Sequence, residues 1–472
     1  MDYLIRFIQT HKTFRKPETN ALSELAGLEI EWVYYSEYSP FAIIRFPHEP
    51  DPEAAAKALI IRSILSYGIY ELWGTGIDYP SLHQDVRHRT EPLWEKYRHS
   101  SFRFEIDCYQ GSHTSAEQRD IIETFAYTGF EGPIRMKNPD NQFVVFEEYD
   151  FGASNPKRLY KGRLVAESGR KAIAKYNLKK RSYIATTSMD AELSLVTANL
   201  ALASAGKLAY DPFMGTGSFP LACAHFGAAV FGSDLDGRSI RGKKGRSVKG
   251  NFEQYGTSPL YLGGFISDLT NTPLRADRCL DAILCDPPYG VREGLKVLGS
   301  TKPSLQEIVL LENGEPAHLS DTYIPPKRPY SFVRMLNDIL DFSANILVDN
   351  GRLCMWMPVA GVTFDDEETE DGVLPSEEYA VPQHPALELL SECTQRFSKW
   401  SRRLLTYRRR KDEDVDHESL LAYDADRLAL ETESVSGTAG ELNAFRRKFR
   451  QYFQGFRDPS LPRQFEKLPH TY

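Results

Sequence analysis

The sequence predicts an α/β fold with a mostly parallel sheet for the second half of the chain. From about residue 190, short apolar runs such as 280–285 alternate with helical segments such as 331–347. This alternation is typical of a parallel sheet with helices on both faces. A length of 472 residues also exceeds what one hydrophobic core supports. We therefore expect further domains before residue 190.

The first half of the chain shows a mixed pattern that predicts α+β structure. Asp51 is a plausible N-cap, and Pro52 suits the first position of the helix that follows. The predicted elements here are strands at 30–35, 41–46, 102–106 and 143–146, and helices at 52–65 and 115–127. The predicted domains are an N-terminal α+β domain at 1–65, a second small α+β domain at 66–175, a linker at 176–190 and the α/β domain at 191–472.

Within the α/β domain the same patterns place each element in order. The predicted helices lie at 191–205, 219–226, 239–255 and 331–347, and the strands at 207–213, 228–232, 280–285 and 351–357. The acidic segment 364–378 is interpreted as a solvated insertion. The last fifty residues are expected to be helical and charged.

Composition excludes several classes of protein. The chain has 57 Lys and Arg against 65 Asp and Glu, so it is not a polycation, and any nucleic-acid surface must be local. The N-terminus lacks a signal-peptide pattern, and no apolar run approaches the roughly 20 residues that span a membrane. The six cysteines are scattered without a Cys-x-x-Cys pair, so no metal site is predicted. We expect a reducing compartment, the cytoplasm, and no membrane partner.

One stretch, 157–181, carries a strong excess of positive charge. A solvated linker face is one interpretation, and a surface that binds RNA phosphates is the other. The candidate RNA-binding residues are Arg158, Lys161, Arg170, Lys171, Lys175, Lys179, Lys180 and Arg181.

A strand, a turn and a helix start follow one another at 207–218. Gly215 and Gly217 allow positive φ and close approach of a ligand to the backbone. Pro220 occupies the third glycine position of the dinucleotide fingerprint, and the Gly-Lys-Ser/Thr of a P-loop is absent. Asp211 at the strand end would repel a pyrophosphate but attract a cationic amino acid group. This turn therefore favours S-adenosylmethionine as the ligand, with an ordinary tight turn as the alternative.

Further acidic residues follow the next two strands. A carboxylate at the end of the second strand can accept both ribose hydroxyls, and Asp234 is the candidate, with Leu235 packing on the adenine. The alternative for this acidic pair is that Asp236 caps the next helix. Asp268 could accept a hydrogen bond from the adenine amino group, or it could be an ordinary loop acid.

The segment Asp286-Pro287-Pro288-Tyr289 ends a predicted buried strand. An exocyclic amine on a base is a poor nucleophile, because its lone pair is delocalised into the ring. A carboxylate and a backbone carbonyl that accept both N–H bonds would direct that lone pair toward an electrophile. Pro287 fixes φ and keeps the carbonyl rigid, and Tyr289 offers a face for an extruded base. The four residues are the predicted catalytic set, and a rigid Pro-Pro turn is the alternative.

These two motifs together resemble the class I (Rossmann-like), S-adenosylmethionine-dependent amino-methyltransferases of nucleic acid. More closely, the chain resembles the family of eukaryotic tRNA guanine-10 N2-methyltransferase catalytic subunits, which carry an N-terminal THUMP domain. The segments that narrow the resemblance are 62–64, 70–74, 179–183, 187–194 and 400–407.

This resemblance implies a set of functional expectations. Asp211, Gly215, Gly217, Asp234 and Asp268 would bind the cofactor, and Thr187 and Ser188 would cover its methionine end. The 66–175 region would be the THUMP-like domain that grips tRNA, with the basic stretch joining the domains. The family works with a small zinc-binding activator protein, so the zinc would belong to that partner.

Three other functions remain open from the sequence. The first is an amino-methyltransferase acting on another tRNA position or on rRNA. A catalytically inactive tRNA-binding subunit is the second, although the intact Asp286 and glycine turn speak against it. The third, a nucleotide-dependent oxidoreductase, is disfavoured by the missing third glycine.

Overall fold

The computed structural model describes residues 1–275, 277–290, 295–300, 302–303, 307–320, 323, 326–359, 380–397 and 401–433, with side chains described through 427. The chain forms two compact units. The first unit contains residues 1–181 and 189–202, and the second contains 182–188 and the chain from 203 onward. The acidic segment 364–378 and residues 434–472 lie outside the described residues.

A seven-stranded sheet forms the centre of the first unit. Its elements are β1 (Asp2–Phe7), α1 (Lys12–Ala26), β2 (Glu31–Tyr34), β3 (Phe41–Arg45), α2 (Pro52–Ile60), β4 (Ser66–Gly76), α3 (Tyr79–Thr90), α4 (Trp94–Tyr97), β5 (Phe102–Tyr109), α5 (Ser115–Glu123), β6 (Asn141–Glu148), β7 (Arg158–Glu167), α6 (Lys171–Tyr176) and α7 (Ala191–Leu200). The strand order is β2-β3-β1-β4-β7-β6-β5. β1 and β4 are paired neighbours, so the predicted boundary at residue 65 falls within one continuous sheet.

α7 lies in the first unit, although the sequence analysis assigned it to the second. Asn199 on α7 donates to the Glu18 carboxylate at 2.8 Å and to the backbone oxygen of Arg62 at 3.1 Å. Glu18 is fully buried and also accepts from the amides of Ile64 and Leu65. Burial raises the pKa of Glu18, and these donors oppose that shift. The network fixes α7 against α1 and the start of β4.

The first part of the basic stretch forms β7 (Arg158–Glu167), an interior strand of this sheet. β7 lies between β4 and β6, so its alternate side chains point into packed layers. Lys161 is fully buried, and Arg163 pairs with Glu71 and Glu53, each at 2.8 Å. Charge counting missed this because lysine and arginine stems pack like apolar chains when their heads find rings or carboxylates.

The second unit is built on another seven-stranded sheet. Its elements are β8 (Leu208–Asp211), α8 (Ser218–His225), β9 (Ala229–Asp234), α9 (Gly237–Arg241), α10 (Val248–Tyr255), β10 (Tyr261–Ile266), β11 (Leu280–Cys285), β12 (Lys296–Leu298), β13 (Lys327–Pro329), α11 (Phe332–Ile346), β14 (Leu347–Val359), β15 (Leu387–Arg396), β16 (Ser401–Arg409) and α12 (His417–Glu433). The order is β10-β9-β8-β11-β14-β16-β15, and only β16 runs against the others.

The strand order places a ligand crevice at one edge of this sheet. From β8 the chain moves outward to β9 and β10, and it then returns to β11 on the other side of β8. The carboxyl ends of β8 and β11 therefore flank a topological switch point, where open α/β sheets bind ligands. Asp211 ends β8, and Asp286 follows β11 directly. The two predicted motifs thus open at the same edge.

The helix predicted at 239–255 is broken in two. α9 ends at Gly242, which has φ +82°, and α10 begins only after Ser247, its N-cap. A Cβ at Gly242 would meet the Arg246 oxygen at 2.0 Å. A bend of this kind needs glycine, and the helical periodicity on either side concealed it.

The core of the second unit packs α11 on the sheet. Ile339 and Leu340 are fully buried against strand residues such as Ile283 and Leu353. Within the part of the chain that the structure describes, no helix combines the length and the apolar character that a membrane span requires.

Candidate active site

The bend after β8 presents a buried carboxylate to the crevice. Asp211 is 3% exposed, and its Oδ1 accepts from the Phe213 amide at 2.9 Å. Its Oδ2 has no hydrogen-bond partner among the described residues. Burial raises the pKa of Asp211 well above its usual value, and the carboxylates of Asp234 and Asp286 add to this shift. A cationic ligand group would relieve that excess of negative charge.

The glycines of the bend are placed for close approach of a ligand. Gly215 has φ +52°, and a Cβ there would project into open space, with the Phe213 oxygen 4.0 Å away. Gly217 has φ +82°, and a Cβ there would meet Val248 Cγ1 at 2.9 Å. Gly215 therefore leaves room on the ligand side, and Gly217 allows α8 to start against α10.

Asp234 joins this bend to the end of β9. Its Oδ2 accepts from the Gly215 amide at 2.9 Å, and its Oδ1 accepts from the Asp236 amide at 2.8 Å. Burial raises the pKa of Asp234, while the Lys327 ammonium on β13 opposes the shift. Asp236 caps α9 by accepting from the Arg238 amide at 3.0 Å, which was the alternative role for this residue.

Residues 182–188 lie beside the bend. Ser188 Oγ is 2.7 Å from Thr216 Oγ1 and accepts from the Ala185 amide at 2.9 Å. Asn251 on α10 holds the backbone of Tyr183 through two hydrogen bonds. Ser188 thus contacts the glycine bend, whereas Thr187 is exposed.

Asp268 has a role that the sequence analysis did not predict. Its Oδ1 accepts from the Thr270 amide at 2.9 Å, and its Oδ2 accepts from the Leu298 amide at 2.7 Å. The carboxylate therefore ties the end of β10 to β12. The nearby Leu235 is half-buried after β9, at the position expected for packing on an adenine.

The second motif lies at the end of β11 in an extended turn. The Tyr289 hydroxyl donates to Asp286 Oδ1. Pro287 is buried and Pro288 is exposed. Burial raises the pKa of Asp286, and the Arg402 guanidinium and the Tyr289 hydroxyl oppose that shift. Asp286 is thus a carboxylate held by neighbours on two sides at the mouth of the crevice.

Arg402 on β16 contacts the candidate site, although the sequence analysis included it only within the segment 400–407 that carries the family resemblance. Its Nη1 donates to Asp286 Oδ2 at 3.4 Å, and its Nε donates to Gln395 Oε1 at 2.7 Å. The guanidinium carbon also lies 4.6 Å from the Trp356 ring centroid. Successive strand residues face opposite sides of a sheet, and this alternation is the signal that could have separated Arg402 from Arg403.

Other arginines of β16 form ion pairs with carboxylates of the same unit. Arg403 donates to Glu392 at 2.7 Å, Arg408 to Glu388 at 2.7 Å and Arg409 to Asp349 at 2.7 Å. These pairs stabilise the β14-β16-β15 side of the sheet.

The candidate RNA-binding residues of the first unit divide by exposure. Lys175, Lys179 and Lys180 are exposed, and Lys171 is exposed and pairs with Glu167 at 2.7 Å. The guanidinium of Arg158 lies 4.4 Å from the Tyr34 ring centroid. Arg170 donates to the Ile64 oxygen and to Glu192, and Arg181 is buried.

Among these residues, Lys161 lies in a position that contradicts its predicted contact with RNA. Its Nζ is buried 3.9 Å from the Phe125 ring centroid and 5.0 Å from that of Phe104. Burial lowers the pKa of Lys161 well below its usual value. A side chain in this position cannot reach a phosphate from outside, so its predicted RNA contact is wrong.

A second titratable cluster lies in the first unit, around the fully buried Glu147. Glu147 Oε2 lies 2.6 Å from His113 Nε2 and 3.2 Å from Cys108 Sγ, and it accepts from Tyr149 at 2.9 Å. Its Oε1 accepts from Tyr79 at 2.5 Å. Burial and the bond to Glu147 raise the pKa of the Cys108 thiol to about 12. Four donors thus satisfy one buried carboxylate, which accounts for the cluster without a metal ion.

The donor set at the switch point suits an S-adenosyl group. A buried carboxylate with an open oxygen, Asp211, matches an ammonium group, and the open face of Gly215 admits a ligand against the backbone. Asp234 keeps lone pairs for hydroxyl donors after its two backbone bonds. A doubly wound sheet with this edge and an Asp-Pro-Pro-Tyr turn defines the second unit as a class I methyltransferase domain.

Comparisons with known proteins agree with this class and narrow it. The family model of the Tmrp11 THUMP N-terminal domain matches residues 1–170. The chain is 45% identical over 416 residues to the tRNA (guanine(10)-N(2))-methyltransferase of Saccharomyces cerevisiae, covering 86% of this chain and 92% of that protein. It is 34% identical over 444 residues to the TRMT11 enzyme of the same name from Homo sapiens, covering 89% and 91%. The chain belongs to the family of tRNA (guanine(10)-N(2))-methyltransferases.

Among solved structures, the chain is similar to TrmN from Thermus thermophilus. The TM-score is 0.39 with 18% sequence identity, covering 87% of this chain and 100% of that one. This likeness is weak, and the family assignment depends on the sequence relatives.

Proposed function

We propose that this chain transfers a methyl group from S-adenosylmethionine to the exocyclic N2 of guanosine 10 in tRNA. The observation that carries the proposal is the placement of the Asp211 bend and the Asp286 turn at one switch point of the sheet. Membership of the family supplies the substrate class.

We propose that S-adenosylmethionine binds through two carboxylates, the glycine bend and residues 187–188. Asp211 would pair with the ammonium of the amino acid part, Gly215 and Gly217 would let the backbone approach, and Ser188 with Thr187 would cover that end. Asp234 would accept the ribose hydroxyls, with Leu235 on the adenine. When bound, S-adenosylmethionine supplies an electrophilic methyl group on a positively charged sulfur.

The substrate side is proposed to act by orientation. Asp286 and the backbone oxygen of Pro287 would accept the two N2–H bonds of an extruded guanine. That places the nitrogen lone pair toward the methyl carbon, and alignment of this kind lowers the barrier by removing orientational freedom. The Tyr289 ring, whose neighbour Pro288 is exposed, would stack on the base. After transfer, Asp286 is placed to take the proton that leaves N2.

Asp268 Oδ2 keeps a lone pair after its bond to the Leu298 amide, so it would accept a hydrogen bond from the adenine amino group. The bonds of the Asp268 carboxylate to Thr270 and Leu298 support a role in holding the adenine side of the crevice together. The exposed lysines Lys175, Lys179 and Lys180 support tRNA binding by the first unit, which contains the THUMP match.

We further propose that the enzyme works as a heterodimer with a small zinc-binding activator protein, as the family resemblance implies. The cytoplasm is the proposed compartment, because the six cysteines are scattered along the chain without a disulfide framework, which indicates a reducing environment.

Nucleoside mass analysis tests the proposed reaction. Unmodified tRNA is incubated with S-adenosylmethionine and the chain, with and without a candidate activator, and N2-methylguanosine is then located by fragment mass. A matched tRNA with inosine at position 10 lacks the N2 amine and should receive no methyl group. Methylation at another guanosine or in rRNA would support the first alternative instead.

Substitution of the proposed catalytic carboxylate separates an enzyme from a binding subunit. Asp286→Asn should abolish transfer and leave tRNA affinity nearly unchanged, because phosphate contacts dominate that affinity. Asp277→Asn makes the same change at an exposed position just before β11 and should be neutral. Equal turnover of Asp286→Asn and the parent chain would contradict the assignment, and no turnover by the parent with any activator would favour a binding subunit.

A further inference from the structure

Contacts with Trp356 and Gln395 fix the Arg402 side chain in addition to its contact with the proposed catalytic turn. Its guanidinium lies over the indole of Trp356, which is fully buried on β14, and its Nε donates to Gln395 on β15. Only 13% of the Arg402 side chain is exposed. A flat guanidinium held by a ring on one side and an amide on its edge keeps little rotational freedom.

The anchored guanidinium points one donor at Asp286. Nη1 lies 3.4 Å from Asp286 Oδ2, while the Tyr289 hydroxyl donates to the other oxygen, Oδ1. The two contacts differ in kind. The Tyr289 hydroxyl occupies an oxygen that a substrate amine would need, whereas Arg402 reaches the other oxygen from β16 and also contacts the Tyr289 hydroxyl.

We propose that Arg402 is a positioning residue that holds the Asp286 carboxylate ionised and oriented while it accepts the guanine amine. This inference rests on the proposed function. It assigns to β16 a part in the reaction that neither the Asp-Pro-Pro-Tyr motif nor the glycine bend contains. It also separates Arg402 from Arg403, whose side chain is turned the other way and pairs with Glu392.

The charges around Asp286 explain why such a partner is needed. Among the described residues, the neighbouring titratable groups are Asp211 at the end of β8, Cys285 on β11, Tyr289 in the turn and Arg402 on β16. Asp211 and Asp286 repel each other, and burial disfavours both charges. Arg402 is the cation in this group, so it keeps the ionised form of Asp286 available.

Steady-state kinetics with three substitutions tests the inference. Arg402→Ala should lower kcat by about 10- to 100-fold, the loss typical of a misplaced reacting group, with little change in the KM for tRNA. In the plot of kcat against pH, the acid limb should move to higher pH, because the pKa of Asp286 rises when the Arg402 guanidinium is removed. Arg402→Lys should restore the position of that limb while recovering only part of kcat, since an ammonium keeps the charge but not the planar fork.

Arg408→Ala is the matched control, because Arg408 lies on the same strand and pairs with Glu388 away from the turn. It should leave kcat and the pH profile unchanged. If Arg402→Ala melts at a lower temperature than the parent, Arg402→Gln, a shorter side chain that keeps polar hydrogen-bonding groups but carries no charge, replaces it in both measurements.

Two results would overturn the positioning role while leaving the proposed function intact. One is a raised KM for tRNA with unchanged kcat, which indicates a direct phosphate contact. The other is a pH profile that does not move in any Arg402 variant. Absence of methyl transfer by the parent chain with its activator would instead count against the proposed function itself.

Discussion

The amide of Gly215 donates to Asp234 at 2.9 Å, so the glycine bend after β8 and the acidic end of β9 hold each other in place. The carboxylate is therefore part of the bend as well as a candidate ligand. Each Asp234 oxygen accepts one backbone hydrogen bond and retains a lone pair. The two hydroxyls of a ribose could each donate a hydrogen bond to one of the Asp234 oxygens.

Replacing Asp234 by alanine should weaken cofactor binding more than tRNA binding. Hydrogen bonds to a charged group contribute about 1.5 to 3 kcal/mol each, so a rise in Kd of about tenfold or more is expected. Isothermal titration calorimetry with S-adenosylmethionine measures the change. Asp236→Ala removes the cap of α9 and the ion pair with Arg238 but leaves the Asp234 carboxylate in place, so it serves as the control. An unchanged Kd for Asp234→Ala would remove this residue from the proposed site.

Gly217→Ala should destabilise the second unit by two separate costs. The residue has φ +82°, and a Cβ would meet Val248 Cγ1 at 2.9 Å. The conformational cost alone is about 1 kcal/mol, and overpacking adds about 1 to 3 kcal/mol. Gly206→Ala is the matched control, because Gly206 has φ +83° with no atom within 4 Å of a Cβ. Urea unfolding of both variants measures the difference, and equal losses would show that Val248 gives way without cost.

The sequence located the strand ends that carry the candidate site residues more closely than it located the boundary at residue 65. Strand ends carry function in α/β sheets, so Asp211, Asp234 and Asp286 could each be located from an apolar run followed by an acid. The strand at 280–285 matches β11 residue for residue. No local pattern reveals that β1 pairs with β4, because sheet pairing between distant strands depends on tertiary packing.

The roles of individual charged side chains were the hardest feature to predict from the sequence. Arg402 and Arg403 are adjacent in sequence, yet one approaches Asp286 and the other pairs with Glu392, because successive strand residues face opposite sides. Lys161 is buried for a related reason, since the alternate side chains of the interior strand β7 face packed layers. The fate of a charged side chain is decided by the partner opposite it, which the sequence alone does not show.

Cofactor binding should depend on pH through Asp211. Burial and the neighbouring carboxylates of Asp234 and Asp286 raise its pKa, so it is protonated at a pH where an ordinary aspartate is charged. A cationic ligand group pairs with the ionised form, and affinity should therefore fall as the pH is lowered through this raised pKa. Calorimetry across a pH series measures the trend.

Asp211→Asn provides the comparison for that series. The amide cannot ionise, so the variant should bind the cofactor weakly and without the same decline at low pH. Asp277→Asn, at an exposed position, should keep the pH dependence of the parent chain. A parent chain whose affinity is flat across the acidic range would contradict the pairing of Asp211 with an ammonium group.

Lys161→Met should stabilise the first unit. The Lys161 ammonium is fully buried, and no described residue accepts a hydrogen bond from it. Removing a buried polar group of this kind should add about 1 to 3 kcal/mol to the free energy of unfolding at pH 7. Methionine keeps the length of the side chain and packs well against rings such as that of Phe125.

Burial of Lys161 also predicts how the free energy of unfolding of the parent chain changes with pH. The pKa of Lys161 is low in the folded chain and ordinary in the unfolded chain, so between the two values the unfolded chain binds one more proton. The parent chain should therefore gain stability as the pH rises toward about 10, by up to about 1.4 kcal/mol per pH unit. Lys161→Met should lack this gain, and urea unfolding at pH 7 and pH 9.5 measures the difference.

The same variant tests whether β7 contributes to tRNA binding. The slope of log affinity against log salt counts the phosphate contacts of a protein, so Lys161→Met should leave that slope unchanged. Lys175→Met, at an exposed position in the same basic stretch, should reduce the slope. A reduced slope in Lys161→Met would mean that Lys161 leaves its aromatic surroundings when tRNA binds, against the position that the fold gives it.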